Sequence, residues 1–139
     1  MTTRTETFSA SLPLAGADYA AAAGRLLIAA IFLLSGFSKV TGLAGTVDYI
    51  AAVGLPAPTL AALGAIAVEL LGGIALVAGL RTRLVASVLA VFTLATAVFF
   101  HADLADQNQF IHFFKNIAIA GGLLQVIAFG AGRLSLDRG

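Results

Sequence analysis

The residues of this chain that could do chemistry stand within or at the ends of long apolar runs. Glu69 lies near the midpoint of one run, and Lys39 and His101 end two others. An ionisable side chain in hydrocarbon costs a few kcal/mol or more, so it normally faces a bundle interior and finds a partner there. We predict one shared buried charge or ligand cluster of Arg25, Lys39, Glu69, His101, Lys115 and Asn116, with His112 as a further ligand candidate at the outer interface.

Helical spacing places these residues on consistent faces. Arg25 and Lys39 are fourteen residues apart, nearly four helical turns, so they share one stripe of the first apolar run. Small residues on the face of Glu69 would let neighbouring helices approach closely in lipid. The stripes of the later runs contain Ala62, Ala65, Gly72 and Gly73 beside Glu69, then Ser87, Ala90, Leu94, Ala97 and His101, and finally His112, Lys115, Asn116, Ile119 and Gly122.

Two kinds of role are open to these groups. Lysine, histidine and asparagine can donate hydrogen bonds to a ligand carbonyl, and Glu69 could relay a proton. Equally, Glu69 could form an ion pair that only stabilises the bundle, and the sequence leaves open whether Arg25 or Lys115 would be its partner. Arg25 could instead extend to the headgroups, and Lys115 could pair with Asp103 or Asp106 outside the apolar runs.

Several cofactor and partner classes are disfavoured. The chain has no cysteine, which removes disulfides, thiolate metal sites and iron–sulfur ligation. A metal site is not predicted, because Glu69 and the two histidines lie at different depths. A haem between His101 and His112 is disfavoured, because such ligands usually lie deeper in a bundle. The net charge of +1 gives no reason to expect nucleic acid. No intrinsic cofactor is predicted, and a quinone remains the candidate ligand.

The elements that must position these residues are membrane spans. Hydrophobic residues make up 60% of the chain and charged residues 11%, whereas soluble domains are about half apolar and a quarter charged. Apolar runs at about 19–40, 59–80, 84–100 and 113–130 are each long enough to cross a bilayer. Val47, Ile50 and Val53 share one face of a short segment after the first run. We predict an all-α, membrane-embedded four-helix bundle with a short interfacial helix between the first and second spans.

Basic residues predict how the bundle is oriented. We expect a disordered cytoplasmic tail over 1–18, a membrane domain over 19–132 and a cytoplasmic tail over 133–139. With four spans, both tails and the second connection share one side. Basic flanks stay in the cytoplasm, which predicts a membrane protein with both termini inside. That side holds Arg4, Arg25, Arg81, Arg83, Arg133 and Arg138, and the other holds Lys39 and Lys115.

Three strings of the sequence resemble the DoxX family of small four-helix membrane proteins. They are GRLLIAAIFLLSGFSKV, GLPAPTLAALGAIAVELLGGIALVAGLRTRLVA and HFFKNIAIAGGLL, and the resemblance covers roughly residues 24–128. It implies a four-helix inner-membrane fold and an association with quinone-linked redox complexes. It implies no catalytic role for any residue. The positions that match the family motifs are Arg25, Gly36, Lys39, Glu69, Gly72, Lys115 and Asn116.

The sequence supports three functional hypotheses. The first is a membrane subunit of a redox complex that binds a quinone or lipid near the outer-leaflet cluster, with electrons supplied by a partner protein. The second is a non-catalytic accessory or assembly subunit of a larger membrane complex. The third is a small proton-coupled transporter. In each case we expect contact with membrane lipids and either a complex or a homo-oligomer, and a subunit fits better than a free-standing enzyme.

Overall fold

The computed structural model describes residues 13–137, which form five α-helices and contain no strand. The helices are α1 (Gly16–Thr41), α2 (Leu43–Ala52), α3 (Pro58–Ala78), α4 (Thr82–Phe100) and α5 (Gln107–Phe129). All but α2 are long and apolar enough to cross a membrane. The predicted fold class, with four spans and a short helix between the first two, is confirmed.

Local sequence signals set the ends of the spans. Pro58 is in the first turn of α3, where its missing N–H costs nothing, and α3 ends at Gly79, whose φ of +68° suits glycine. The helix that contains the predicted fourth span, α5, begins six residues before residue 113. The Asp106 side chain accepts a hydrogen bond from the Gln109 backbone N–H at 3.0 Å, so the helix begins at Gln107.

The four long helices form two closely packed pairs. α1 packs chiefly against α3 and α4 against α5, while α3 also contacts α4 and joins the pairs. The α1–α3 approach depends on glycine: a Cβ atom at Gly36 would lie 2.8 Å from Leu70 Cδ2, and one at Gly73 would lie 2.7 Å from Leu33 Cδ2. The predicted stripe of small residues beside Glu69 therefore lies at a helix–helix contact, as close packing in lipid requires.

Most of the helix surface is apolar and faces outward. Few residues are buried in the most apolar stretch of each span. The buried share is highest in α4, at 28%, and lowest in α5, at 11%. Leu27, Leu34, Leu71, Val91 and Phe129 are among the large apolar residues left exposed. Such a surface suits hydrocarbon rather than water as the surrounding solvent.

Arg25 holds the C-terminal segment against the end of α3. Its side chain is buried, with Nε donating to the Leu76 carbonyl at 2.7 Å and Nη2 to the Leu134 carbonyl at 2.7 Å. Nη1 donates to the Ala131 carbonyl. The guanidinium therefore neither pairs with Glu69 nor extends to the headgroups, as the sequence had suggested. Backbone carbonyls near the end of α3 and in the segment after α5 accept its hydrogen bonds instead.

Residues 131–137 fold back onto the α3–α4 turn rather than leaving the bundle. The Asp137 carboxylate accepts hydrogen bonds from the Arg81 and Thr82 backbone N–H groups, at 2.6 and 2.9 Å. It thereby caps the N-terminus of α4 from a distant part of the chain. Hydrogen bonds from Thr82 and Arg81 hold the pKa of Asp137 below its usual value. Much of the predicted N-terminal tail, residues 1–12, lies outside the described residues.

Candidate functional site

A cavity of about 410 Å³ lies between the two helix pairs, and all five helices contribute to its lining. It reaches from Glu69, midway along α3, to Lys39 at the end of α1 and His101 after α4. α1 and α5 contact each other only over a short stretch, where Ile28 lies near Gly122. Because α1 and α5 do not pack against each other beyond that stretch, space remains between the two pairs on that side.

One wall of the cavity carries an ion pair. Lys39 Nζ lies 3.0 Å from each Glu69 carboxylate oxygen and donates to Ser35 Oγ at 2.7 Å. The Ser35 hydroxyl in turn donates to Glu69 Oε1 at 3.1 Å. The Glu69 side chain is only 6% exposed and that of Lys39 is 26% exposed. The partner of Glu69 is therefore Lys39, whereas sequence reasoning had left Arg25 or Lys115 open.

The facing wall, from α4 and α5, carries an amide and two hydroxyls. Asn116 Nδ2 donates to Thr96 Oγ1 at 3.1 Å and to the Thr93 carbonyl at 3.3 Å. The Thr93 side chain lines the cavity and is buried, and its hydroxyl has no hydrogen-bond partner within residues 13–137. A buried hydroxyl without a partner costs free energy unless a ligand or water satisfies it.

Sequence reasoning missed Thr93 and Thr96. It placed Leu94 on the inward face of the third span, but Leu94 is 42% exposed and Thr93 is 3% exposed. The sequence supports an alternative stripe equally well, because its members also follow one another at three- and four-residue steps: Ala86, Ala90, Thr93 and Ala97. Threonine is common on both faces of membrane helices, so its type did not distinguish the two stripes.

Two histidines and a lysine lie at the end of the cavity near the α4–α5 loop. The His101 and His112 rings are stacked with centroids 5.1 Å apart and planes tilted by 30°. Lys115 Nζ is 3.1 Å from His112 Nδ1. Burial lowers the pKa of His101, and the positive charges that His112 and Lys115 can carry lower it further. His101 is therefore neutral at neutral pH and available as a hydrogen-bonding group.

Lys115 does not pair with the acidic residues of the loop. Asp106 caps α5 through Gln109, and Asp103 Oδ1 accepts from the Ala105 backbone N–H at 3.3 Å. Neither carboxylate lies within 4.0 Å of the ammonium group. The pairing of Lys115 with Asp103 or Asp106, which the sequence left open, is not formed. Both carboxylates instead accept hydrogen bonds from backbone N–H groups at or just before the start of α5. Across residues 13–137, no three His, Asp or Glu residues are grouped to hold a metal ion.

The rest of the lining is largely apolar and aromatic. Phe32, Phe92, Phe99 and Phe100 contribute to it from α1 and α4. Tyr49 extends from α2 to the end of α4, where its hydroxyl donates to the Phe100 carbonyl at 3.3 Å and its ring lies 5.2 Å from the Phe100 ring. The short helix α2 thus covers one side of the cavity.

The structure brings six of the seven predicted site residues to one cavity. These six are Lys39, Glu69, His101, His112, Lys115 and Asn116. Arg25 is separated from them, because it binds carbonyls at the far end of α3, about two turns beyond Glu69. What the arrangement can do is bind a mainly apolar molecule and donate hydrogen bonds to its polar groups from two sides.

Comparison with known proteins places the chain among small membrane proteins. It is 40% identical over 120 residues to the inner membrane protein YphA of Escherichia coli (strain K12), covering 82% of this chain and 85% of that protein. It is 38% identical over 121 residues to the inner membrane protein YqjF of the same strain, covering 87% and 92%. A segment of 74 residues is 38% identical to CatD of Bacillus subtilis (strain 168), a protein named as a candidate oxidoreductase, and covers 53% of each chain.

No solved structure matches the chain significantly. Residues 20–102 match the DoxX family, a range that takes in α1 to α4 and includes Lys39, Glu69 and Thr93. Together with the four apolar helices and the E. coli relatives, this match identifies the chain as a membrane protein of the DoxX family.

Proposed function

We propose that this protein binds a quinone, or a lipid-like ligand of similar shape, in the cavity and serves as an inner-membrane subunit of a quinone-linked redox complex. The observation that carries the proposal is the composition of the cavity wall. A mainly apolar lining contains an ion pair on one side and, on the other, the Asn116 amide with a Thr93 hydroxyl that has no partner within residues 13–137. Ligand pockets typically combine such an apolar lining with a few convergent polar groups.

The polar groups suit the two carbonyl oxygens of a quinone. Donors that are not used up within residues 13–137 reach the cavity from α4 and α5: the Thr93 hydroxyl and the further N–H groups of Lys115. Reduction of a quinone to a quinol takes up two electrons and two protons. Glu69, held by Lys39 and Ser35, is the group through which a proton could pass. The electrons would come from a partner protein, which agrees with a subunit rather than an independent enzyme.

The relatives give this proposal limited additional support. The name of the B. subtilis relative CatD refers to an oxidoreductase, and its alignment covers about half of each chain. The names of the two E. coli relatives state only their membrane location. The ligand proposal therefore depends on the chemistry of the cavity and on the family resemblance.

The orientation of the bundle follows from where the basic residues gather. Arg25, Arg81 and the C-terminal segment meet at one end of the bundle, and Lys39 and Lys115 lie towards the other end. Because basic flanks are retained in the cytoplasm, we infer that both termini are cytoplasmic. The cavity is then in the outer half of the membrane, on the periplasmic side.

A purified complex with quinone-dependent turnover would test the role of Glu69. Glu69→Gln keeps the size of the side chain but removes its charge and its capacity to take up and release a proton. We expect turnover per assembled complex to fall to the background rate. Ser38→Ala, on an exposed part of α1 that does not line the cavity, is the matched control and should leave turnover unchanged.

Stability must be separated from function in this experiment. Glu69→Gln leaves the Lys39 ammonium without its counter-charge, which destabilises a buried pair by roughly 3–5 kcal/mol. The double variant Lys39→Met with Glu69→Leu removes both charges, so it should regain most of the thermal stability while turnover stays absent. Full turnover per complex in Glu69→Gln, with only lower abundance, would instead establish the accessory-subunit role.

The accessory role is the second candidate because the side chains of Lys39, Glu69 and Ser35 satisfy one another's hydrogen bonds and charges without a ligand. All three polar side chains have partners within the protein at 2.7–3.1 Å. An ion pair of this kind can fix the register of two helices without any ligand.

A further inference from the structure

The end of the cavity near His101 carries a positive charge that the described part of the chain does not balance. We propose that Lys115, with His112 and His101, forms an anion site, and that the cavity prefers an amphiphile whose polar head bears an ionised oxygen over its neutral counterpart. This inference deepens the proposed quinone site, and rests on it, by specifying the charge of the ligand. It can nevertheless be tested separately.

The first step is the charge of the cavity. Its acidic and basic lining residues are Lys39, Glu69, Lys115, His101 and His112. Lys39 and Glu69 cancel, since each carboxylate oxygen is 3.0 Å from the ammonium. The remaining cation is Lys115, so the lining carries a net positive charge even when both histidines are neutral.

The second step concerns the nearest partners of Lys115. The ammonium is 3.1 Å from His112 Nδ1, and an ammonium group can only donate. That contact requires an unprotonated Nδ1 on His112, which leaves the Nε2–H as a donor. An imidazole satisfies one N–H of the lysine but does not neutralise its charge. The ion pairs within residues 13–137 are Lys39–Glu69 and Arg133–Asp18, so neither of them compensates Lys115.

The third step is the excess of donors over acceptors around the same cavity. The Thr93 hydroxyl is buried and has no partner within residues 13–137, and Lys115 Nζ keeps further N–H groups beyond the one that contacts His112. In a low-dielectric cavity a lysine ammonium attracts an anionic oxygen more strongly than a neutral carbonyl. The two histidine rings can approach the same head group from the α4–α5 end. A ligand rich in acceptors and carrying one negative charge complements this set.

Two probes that differ only in charge test the inference. 2-Hydroxy-1,4-naphthoquinone is ionised at neutral pH, and 2-methoxy-1,4-naphthoquinone has the same ring system but no charge. Binding to the protein in nanodiscs of neutral lipid is measured after subtraction of empty discs. We expect the hydroxy probe to bind about tenfold more tightly, a factor that corresponds to one modest charge interaction.

Variants assign that preference to Lys115. In Lys115→Gln we expect the hydroxy probe to lose about tenfold in affinity while the methoxy probe changes little. Each probe is compared with itself between the variant and the unmodified protein, so its partitioning into lipid cancels. Lys115→Arg should retain the preference, because it keeps the charge. Arg83→Gln, which removes a cation outside the cavity, should retain it as well. Because Lys115 is exposed, its replacement should leave the melting temperature nearly unchanged.

The possible results separate this inference from the proposed function. Equal binding of the two naphthoquinones overturns the anion site and leaves the quinone proposal intact. Binding of neither probe contradicts the quinone proposal, and laurate compared with methyl laurate then tests the anion site alone. Preferential binding of laurate that is lost in Lys115→Gln would support an acidic lipid as ligand. No preference in either pair would overturn the inference.

Discussion

Buried ionisable side chains in this protein are stabilised in two different ways. Arg25 is surrounded by backbone carbonyls from α3 and from the segment after α5. Lys39 and Glu69 neutralise each other and share Ser35. The guanidinium suits the first arrangement because its five N–H groups diverge in a plane and can reach several acceptors at once. A lysine at position 25 could not replace it.

A prediction at this scale concerns Arg25. Arg25→Gln removes the charged donors to the carbonyls of Leu76, Ala131 and Leu134. We expect a loss of at least about 2 kcal/mol in the free energy of unfolding, because a hydrogen bond from a charged group contributes about 1.5–3 kcal/mol. Thermal unfolding in detergent would measure it.

Arg133→Gln is the matched control for that variant. Arg133 is exposed and lies 3.9 Å from Asp18, a surface ion pair of the kind that contributes at most about 1 kcal/mol. Its replacement should therefore change the melting temperature little. Equal destabilisation by the two variants would contradict the structural role assigned to Arg25.

At the scale of elements, contacts between specific faces decide how the helices approach. Gly36 of α1 faces Leu70 and Glu69 of α3, and Gly73 of α3 faces Leu33 of α1. The sequence predicted which residues of α3 share a face, because helical periodicity depends only on spacing. Which helix packs against that face does not follow from spacing, and the choice of Lys39 as partner of Glu69 is a consequence of the α1–α3 contact.

The α1–α3 contact can be tested with a pair of glycine variants. A Cβ at Gly36 would lie 2.8 Å from Leu70, whereas a Cβ at Gly64 would meet no atom within 4 Å. Both exchanges to alanine have the same effect on helix propensity. We expect Gly36→Ala to be less stable than Gly64→Ala by about 1–3 kcal/mol, the usual cost of overpacking. Matching denaturation curves for the two variants would show that the helices do not approach this closely.

The start of α5 shows why the helix is longer than the apolar run that predicted the fourth span. The segment from His101 to His112 is polar, and polarity alone predicted a loop. Asp106 followed three residues later by Gln109 is a helix-start signal, and it caps the helix at Gln107. His112 consequently lies in the second turn of α5, where its ring can stack on His101.

At the scale of the whole molecule, the bundle has two dissimilar ends. One is closed by the C-terminal segment, through Arg25 and Asp137. The other contains the cavity and is covered on one side by α2. This polarity agrees with the uneven distribution of basic residues, from which we infer the orientation in the membrane.

Fusions to reporters that are active on only one side of the membrane test that orientation. We expect green fluorescent protein at the C-terminus to fluoresce, and alkaline phosphatase there to be inactive. Alkaline phosphatase inserted in the α4–α5 loop, after Asp103, should be active. The reverse pattern would place the cavity on the cytoplasmic side and refute the proposed topology.

The sequence by itself determined the fold class, the membrane location and the small-residue face of α3, and six of the seven site residues that it predicted line the cavity. Hydropathy and helical periodicity are local properties, so they can be read without knowing what each helix contacts. Only the tertiary structure decided that Lys39 pairs with Glu69, that Arg25 binds the C-terminal segment and that Thr93 faces the cavity unpartnered. These outcomes depend on which helices are neighbours and how closely they approach, and the spacing of residues along a single helix does not contain that information.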